Sequence, residues 1–125
     1  MRWSLPGGRG TDGDTVVLDA APVVRFVGDL HVGDGGHNDG FGRKDGELEA
    51  YLERSAATCD ALVVMGDALD VPQALGARRA LRAHPRVRAA LAAAARRTRV
   101  LFLCGNHDPT ADYARLFPGA RACAP

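Results

Sequence analysis

The sequence has no long apolar run, and this absence excludes one class of protein at once. None of its apolar stretches approaches the ~20 consecutive residues that a membrane-spanning helix needs. Residues 1–8 include no apolar segment of the kind that a secretion signal carries. We therefore expect a cytoplasmic protein.

Cysteine is scarce as well. The three cysteines (Cys59, Cys104 and Cys123) are odd in number and show no CxxC spacing, which argues against a disulfide framework and against a zinc knuckle. Cys104 fits either a reactive thiol or a small residue that closes a buried strand. We favour the second interpretation because buried cysteine usually packs as a small apolar residue.

Acidic residues are missing from one long segment. Residues 1–70 contain 13 acids and 6 bases, residues 71–125 contain 10 bases and 2 acids, and no acid falls between Val71 and Cys104. Such a basic region indicates either a polyanionic partner or solvated helix faces. We favour solvated faces for most of the arginines. Nucleic acid is the less favoured partner because no aromatic residue able to stack on bases lies among residues 71–99.

The pattern that is present is that of an α/β domain. A chain of 125 residues is short enough for one domain. Apolar runs predict strands over 23–27, 61–65 and 100–104, with a short edge strand over 15–18. Apolar residues at helical spacing predict helices over 45–57 (with Asp45 as N-cap), over 73–83 and from Pro85 onward. Alternating strands and helices imply parallel strands with right-handed crossovers, preceded by a flexible glycine-rich arm over 1–14.

Three strands end in a glycine that is followed by polar residues. The junctions are Gly28-Asp29-Leu30-His31, Gly66-Asp67-Ala68-Leu69-Asp70 and Gly105-Asn106-His107-Asp108. Parallel strands place their carboxyl ends at one sheet edge, where open α/β folds bind ligands, so we expect these side chains to converge. Taken singly, each junction is more often a turn, a helix cap or a hydrogen-bonded loop histidine. Three together favour a site.

Carboxylate, amide and imidazole ligands in one place suit Mn²⁺, Fe or Zn²⁺ better than Ca²⁺. Carboxylates packed together repel one another, and metal ions supply the compensating charge. Two ions bridged by one carboxylate would clamp a phosphoryl group and generate hydroxide for in-line attack. Outside the junctions, we expect Asp34 and His37 in the glycine-rich loop as residues able to touch substrate, and His84 on the surface.

The three junctions resemble, in order and approximate spacing over residues 23–108, the first three motifs (GDxH, GDxxD and GNHD/E) of the calcineurin-like metallophosphoesterases. The resemblance implies a metallophosphoesterase-type α/β/β/α sandwich, of which this chain supplies the first βαβαβ portion. It also implies an enzyme that hydrolyses phosphate esters with two divalent metal ions. Asp29 and His31 would bind the first ion, Asp67 would bridge both, and Asn106 would bind the second.

The resemblance assigns catalytic roles to the third junction. His107 would act near the phosphate by stabilising charge or protonating the leaving oxygen, with Asp108 orienting its ring. Asp70 would fix the loop or an imidazole. Because the third motif ends in Asp108 and no Arg-Gly follows Asp70, the chain looks unlike the protein Ser/Thr phosphatases. The segment Leu30-His31-Val32-Gly33 is similar to the corresponding segment of phosphodiesterases and pyrophosphatases, such as the UDP-2,3-diacylglucosamine hydrolase group.

These resemblances imply a phosphorylated small-molecule or nucleotide-type substrate with a phosphodiester or pyrophosphate bond. The family also carries a later lone His and a GHxH motif, which residues 109–125 lack. We therefore expect residues 15–125 to be the N-terminal part of an incomplete domain, able to self-associate through an uncovered sheet face. The alternatives are a catalytically incomplete scaffold with the same fold and a nucleic-acid-binding module that uses the arginines of residues 71–99.

Overall fold

Four parallel strands form the sheet on which the rest of the chain is built. The computed structural model describes residues 3–4, 17–18, 23–109 and 111–123. The strands are β1 (Trp3–Ser4), β2 (Val17–Leu18), β3 (Val24–Gly28), β4 (Ala61–Met65), β5 (Arg99–Leu103) and β6 (Arg121–Cys123). Strands β3 to β6 are hydrogen-bonded in sequence order and all run parallel. β1 and β2 pair antiparallel in a separate ribbon.

Helices connect the strands of the sheet. They are α1 (Asp45–Thr58), α2 (Val71–Ala74), α3 (Ala77–Ala83), α4 (Pro85–Arg97) and α5 (Tyr113–Leu116). The predicted α/β class with parallel strands is confirmed. Among the described helices, none combines the length and apolar character needed to cross a membrane.

One face of the sheet packs on α1 and α4, which also contact each other. Because strand side chains alternate between faces, every second residue of β4 and β5 points into this layer. The resulting core includes the fully buried Leu62, Val64, Val100 and Phe102 of the strands, Leu52 of α1, and Val87 of α4. Burying one such side chain stabilises the fold by about 1.5–3 kcal/mol. On the opposite face, Phe26 is 57% exposed and Met65 is 48% exposed.

The predicted helix over 73–83 is two helices. Leu75 has a left-handed backbone (φ 60°) and ends α2, and Gly76 follows with φ 142°. Gly76 makes the sharp turn possible because it has no Cβ to obstruct a positive φ. Asp70 caps α2, since its side chain accepts a hydrogen bond from the Gln73 amide at 3.3 Å.

Several other boundaries differ from the prediction. Lys44, not Asp45, occupies the N-cap position of α1, because the Asp45 carboxylate is hydrogen-bonded to a histidine described below. Residues 17–18 of the predicted edge strand over 15–18 form β2, which pairs with β1 instead of with the sheet, and residues 15–16 lie outside the described residues. Apart from Trp3–Ser4, the predicted arm over 1–14 lies outside the described residues. Neither α5 nor β6 was predicted.

Candidate metal centre

The connections after β3 and after β4 stay paired beyond the ends of the strands. The His31 amide donates to the Asp67 carbonyl at 2.8 Å, and the Val32 amide donates to the Ala68 carbonyl at 3.0 Å. Val32 also forms a parallel bridge with Leu69. Since Val32, Ala68 and Leu69 are almost fully buried, the backbone that carries His31 and Asp67 is fixed to the core.

Left-handed backbone is concentrated in the two loops that follow β3 and β4. Asp29 and His31 each have φ 52°, and Asp67 has φ 48°. Among the described residues other than glycine, Leu75 is the one further residue with positive φ. Holding a non-glycine residue in this region costs about 1–3 kcal/mol, and such strain clusters at ligand sites in proteins.

The first set of donor atoms comes from Asp29, His31 and Asp67. His31 Nε2 lies 3.9 Å from Asp29 Oδ1 and 3.9 Å from Asp67 Oδ2, and all three donors lie within 4.8 Å of one another. These distances are too long for hydrogen bonds. Two ligands that each lie ~2.1 Å from one ion are at most ~4.2 Å apart, so the two distances of 3.9 Å from His31 are compatible with a shared cation.

A second set comes from His31, Asp70 and His107. His31 Nδ1 lies 4.0 Å from Asp70 Oδ2, and His107 Nδ1 is hydrogen-bonded to Asp70 Oδ1 at 3.1 Å. The two imidazole rings meet edge to face with centroids 4.8 Å apart. The hydrogen bond to Asp70 raises the pKa of the exposed His107, as do the charges of Asp70, Asp67 and Asp108, against a smaller opposing effect of burial. Asp70 therefore fixes an imidazole as predicted, and it also presents a donor that the sequence did not assign to a metal.

Asp67 also contacts the third junction. Its Oδ1 accepts a hydrogen bond from the His107 amide at 2.8 Å, while its Oδ2 faces His31. A Cβ at Gly105 would overlap Asp67 Oδ1 and would lie 2.8 Å from the Asp67 amide nitrogen. The close approach of the two loops therefore requires glycine at position 105. Asn106 lies between Gly105 and His107 with an exposed side chain, so its role as a ligand stays a prediction.

Asp108 is placed differently from the prediction. It is fully buried, and its carboxylate accepts hydrogen bonds from the amides of Asp67 (3.2 Å), Ala68 (3.0 Å) and Gly105 (2.5 Å). The Tyr113 hydroxyl donates to the same carboxylate. Burial, reinforced by this contact, raises the pKa of Tyr113 well above its usual range.

The prediction that Asp108 orients the His107 ring is therefore wrong at the level of contacts. The Asp108 side chain turns inward to satisfy backbone amides, and Asp70 contacts the ring of His107 instead. Asp108 ties the connection after β4 to the connection after β5. Tyr113, which no motif indicated, belongs to the support of the site.

His84 is buried, contrary to the prediction, with 3% of its side chain exposed. Its Nε2 bonds to Asp39 Oδ2 at 2.6 Å and its Nδ1 to Asp45 Oδ2 at 2.7 Å. Asp39 also accepts hydrogen bonds from the amides of Gly33, Gly35 and Phe41. The surface position was expected because His84 precedes a proline between two helices, but α1 and the glycine-rich loop cover it.

In the glycine-rich loop itself, the Asp34 amide donates to Gln73 Oε1 at 2.9 Å, and the Asp34 carboxylate accepts from the Gly36 amide at 2.8 Å. His37 is exposed. Contact of Asp34 or His37 with a substrate stays a prediction.

Comparison with known proteins does not identify the chain. None of the known protein-family models matches it, and no curated protein matches it. The interpretation of the site therefore depends on its own geometry and chemistry.

Proposed function

We propose that this chain is a metal-dependent hydrolase of phosphate esters of the metallophosphoesterase type, which cleaves a phosphodiester or pyrophosphate bond. The observation that carries the proposal is the gathering of Asp29, His31 and Asp67 donors within 4.8 Å at the carboxyl ends of β3 and β4. The left-handed backbone of all three residues supports it, because backbone strain of this kind clusters at ligand sites.

In this proposal Asp29, His31 and Asp67 hold the first divalent cation, Mn²⁺, Fe or Zn²⁺, and Asp67 and Asn106 hold the second. Such cations polarise a phosphoryl oxygen and lower the pKa of water. The exposed side chain of Asp29 leaves the donor set open to a substrate. The bond from the His107 amide keeps Asp67 Oδ2 turned toward His31.

His107 acts on the phosphate in this proposal. Its side chain is 46% exposed, and the hydrogen bond to Asp70 raises its pKa, which favours the imidazolium form. The imidazolium can donate a hydrogen bond to a phosphate oxygen or a proton to the leaving oxygen. Asp70 positions the ring through Nδ1, which leaves Nε2 as the nitrogen that faces the substrate.

The proposed fold is the metallophosphoesterase α/β/β/α sandwich, of which this chain supplies the first βαβαβ portion. Phe26 and Met65 support this proposal because they are large, apolar and exposed on one sheet face. A second sheet would cover that face in a sandwich.

The test is Mn²⁺-dependent hydrolysis of bis(p-nitrophenyl) phosphate by the purified chain. We expect Asp67→Asn to abolish it, because one donor of the first cation and the bridge to the second are lost together. Asp60→Asn is the matched control, since Asp60 lies at the opposite, amino end of β4 and its carboxylate accepts a hydrogen bond from the Val23 amide at 3.0 Å, far from the donors. Activity that survives Asp67→Asn would refute the role of Asp67.

A non-catalytic scaffold with the same fold is the second candidate. It is favoured by the small number of donors for the second cation, since Asp67 Oδ1 is engaged by the His107 amide and Asn106 is exposed. Binding of Mn²⁺ by calorimetry without any hydrolysis of the phosphodiester would favour the scaffold over the enzyme.

A further inference from the structure

A basic groove lies between α3 and α5. Four arginines line it: Arg78, Arg79 and Arg82 from α3, and Arg115 from α5. Its volume is about 560 Å³, which is within the range of roughly 300–1,000 Å³ typical of small-molecule sites. We call these four residues the arginine groove.

The arginines of the groove are near acids but make no direct ion pairs with them in the described residues. For example, a hydrogen bond with Gln73 lowers the pKa of Asp34, and the charge of Arg79 lowers it further. Within the described parts of the chain, none of the four guanidinium groups forms an ion pair of 4.0 Å or shorter, whereas Arg86 pairs with Glu49 at 2.6 Å. The one acid in the lining, Asp112, accepts a hydrogen bond from the Arg115 amide as the N-cap of α5. Four cations in one concave surface repel one another unless an anion joins them.

A second cavity of about 210 Å³ adjoins the groove. It shares Arg78, Arg82 and Arg115 with the groove and adds Arg88 from α4. The cationic surface is therefore longer than a single phosphate requires. The arginine groove also has apolar walls, formed by Leu75 and Leu116, which leave room for an uncharged part of a ligand.

The chemistry of the lining points to phosphate. Guanidinium groups present planar pairs of N–H donors that match the oxygens of phosphate, and they remain charged at any physiological pH. Among the described residues, no aromatic side chain lines either cavity, so this part of the groove lacks the stacking surface that single-stranded nucleic acids use. A small phosphorylated ligand fits this lining better than a nucleic acid.

The groove is built from the same two connections as the metal donors. Its residues belong to the segments that follow β4 and β5, which also carry Asp67 and His107. The Val71 amide, at the start of α2, donates to the His107 carbonyl at 3.0 Å, so the two segments are joined between the donors and the groove.

We propose that the arginine groove is a binding site for a small molecule that carries several phosphate groups. This site is separate from the donors of Asp29, His31 and Asp67 and does not depend on hydrolysis. The ligand places its phosphates on Arg79, Arg82 and their neighbours and its uncharged part against the apolar wall.

The test is calorimetric binding of inorganic tripolyphosphate to the full chain in buffer freed of metal by a chelating resin. The double substitution Arg79→Gln and Arg82→Gln should weaken binding by at least about tenfold, because each lost charge-assisted hydrogen bond is worth a fold-change of that order. Arg96→Gln with Arg97→Gln is the matched control, since both arginines are exposed at the end of α4 and outside the groove. Far-UV circular dichroism verifies the fold of each variant.

Three outcomes would overturn the proposal. The first is equal weakening in the groove and control variants, which would indicate nonspecific attraction. The second is binding that appears only after Mn²⁺ is added and is absent in Asp67→Asn, which would place the anion at the metal donors. The third is binding of a single-stranded oligonucleotide at least tenfold tighter than tripolyphosphate through the same arginines. Binding of tripolyphosphate in the metal-free buffer, where the carboxylates of the metal donors repel an anion, supports a separate site whether or not the chain hydrolyses phosphodiesters.

Discussion

His31 and His84 are each flanked by aspartates, but at different distances and depths. The nitrogens of His31 lie 3.9–4.0 Å from the oxygens of Asp29, Asp67 and Asp70, and 30% of its side chain is exposed. The nitrogens of His84 lie 2.6 and 2.7 Å from Asp39 and Asp45, and 3% of its side chain is exposed.

The two clusters show that spacing, not composition, separates a structural histidine from a candidate ligand. At 2.6–2.7 Å both nitrogens of His84 are saturated by hydrogen bonds, and no atom fits between the partners. At 3.9 Å the donors around His31 are held close by the backbone without bonding one another. An ion can occupy that gap. We call His31 with Asp29, Asp67 and Asp70 the open cluster, and His84 with Asp39 and Asp45 the closed cluster. Of the two, only the open cluster supports a proposal of metal binding.

The largest effect is expected for the closed cluster. His84→Ala would leave the fully buried Asp39 side chain without its partner, and breaking a buried pair in this way costs about 3–5 kcal/mol of unfolding free energy. His37→Ala, at an exposed histidine, should change stability by less than about 0.5 kcal/mol. Urea denaturation of both variants measures the difference, and similar midpoints for the two would contradict the structural role of His84.

The open cluster should respond to metal instead. Mn²⁺ at a hundredfold excess over its dissociation constant should stabilise the wild-type chain by about 2.7 kcal/mol. Asp29→Asn should remove this gain but leave the metal-free stability unchanged, because the Asp29 side chain is 82% exposed and asparagine tolerates a left-handed backbone. Thermal melts with and without Mn²⁺ test this, and an undiminished shift in Asp29→Asn would exclude Asp29 as a ligand.

A smaller effect is expected from pH, and it should again come from the closed cluster. Burial favours a lower pKa for His84, but its hydrogen bonds to Asp39 and Asp45 outweigh burial and raise the pKa. Its stabilising contribution is thus complete below the ordinary histidine pKa of about 6.5 and is lost as the pH rises through the raised value.

Burial favours a higher pKa for Asp39, but the hydrogen bonds from His84, Gly35 and Phe41 lower it. That contribution is complete above about pH 4 and is lost as the pH falls through the lowered value.

Metal-free stability should therefore be greatest between about pH 4 and 6.5. Urea midpoints measured from below about pH 4 to well above about pH 6.5 record the plateau and the decline on each side of it. In His84→Ala the decline on the alkaline side should be absent. A decline of the same size in that variant would assign the pH dependence to other groups.

The convergence of Asp29, His31 and Asp67 was predictable from the sequence because topology places them. Apolar runs define the strands, parallel order puts the strand ends at one edge, and a residue just after a strand has little freedom to leave it. The same reasoning located Asp70 and His107. It did not reveal the left-handed backbone, since neither aspartate nor histidine marks such a residue as glycine does.

The remaining features depend on contacts that no local pattern encodes. His84 finds its partners 45 and 39 residues away in the chain, and their meeting requires α1, α4 and the glycine-rich loop to be packed first. Asp108 faces inward because backbone amides of two loops and Tyr113 surround it. The arginine groove exists only because the unpredicted α5 faces α3 across it, so the sequence showed the charge of its arginines but not their common surface.

The backbone of the metal donors has a consequence for protein engineering. A left-handed residue other than glycine costs about 1–2 kcal/mol, while glycine loses only about 0.5–1 kcal/mol through its greater freedom in the unfolded chain. Replacing Asp29, whose side chain is 82% exposed, by glycine would thus stabilise the metal-free chain or leave it unchanged. A search for thermostable variants that screened folding alone would therefore accept this substitution and discard a candidate metal ligand.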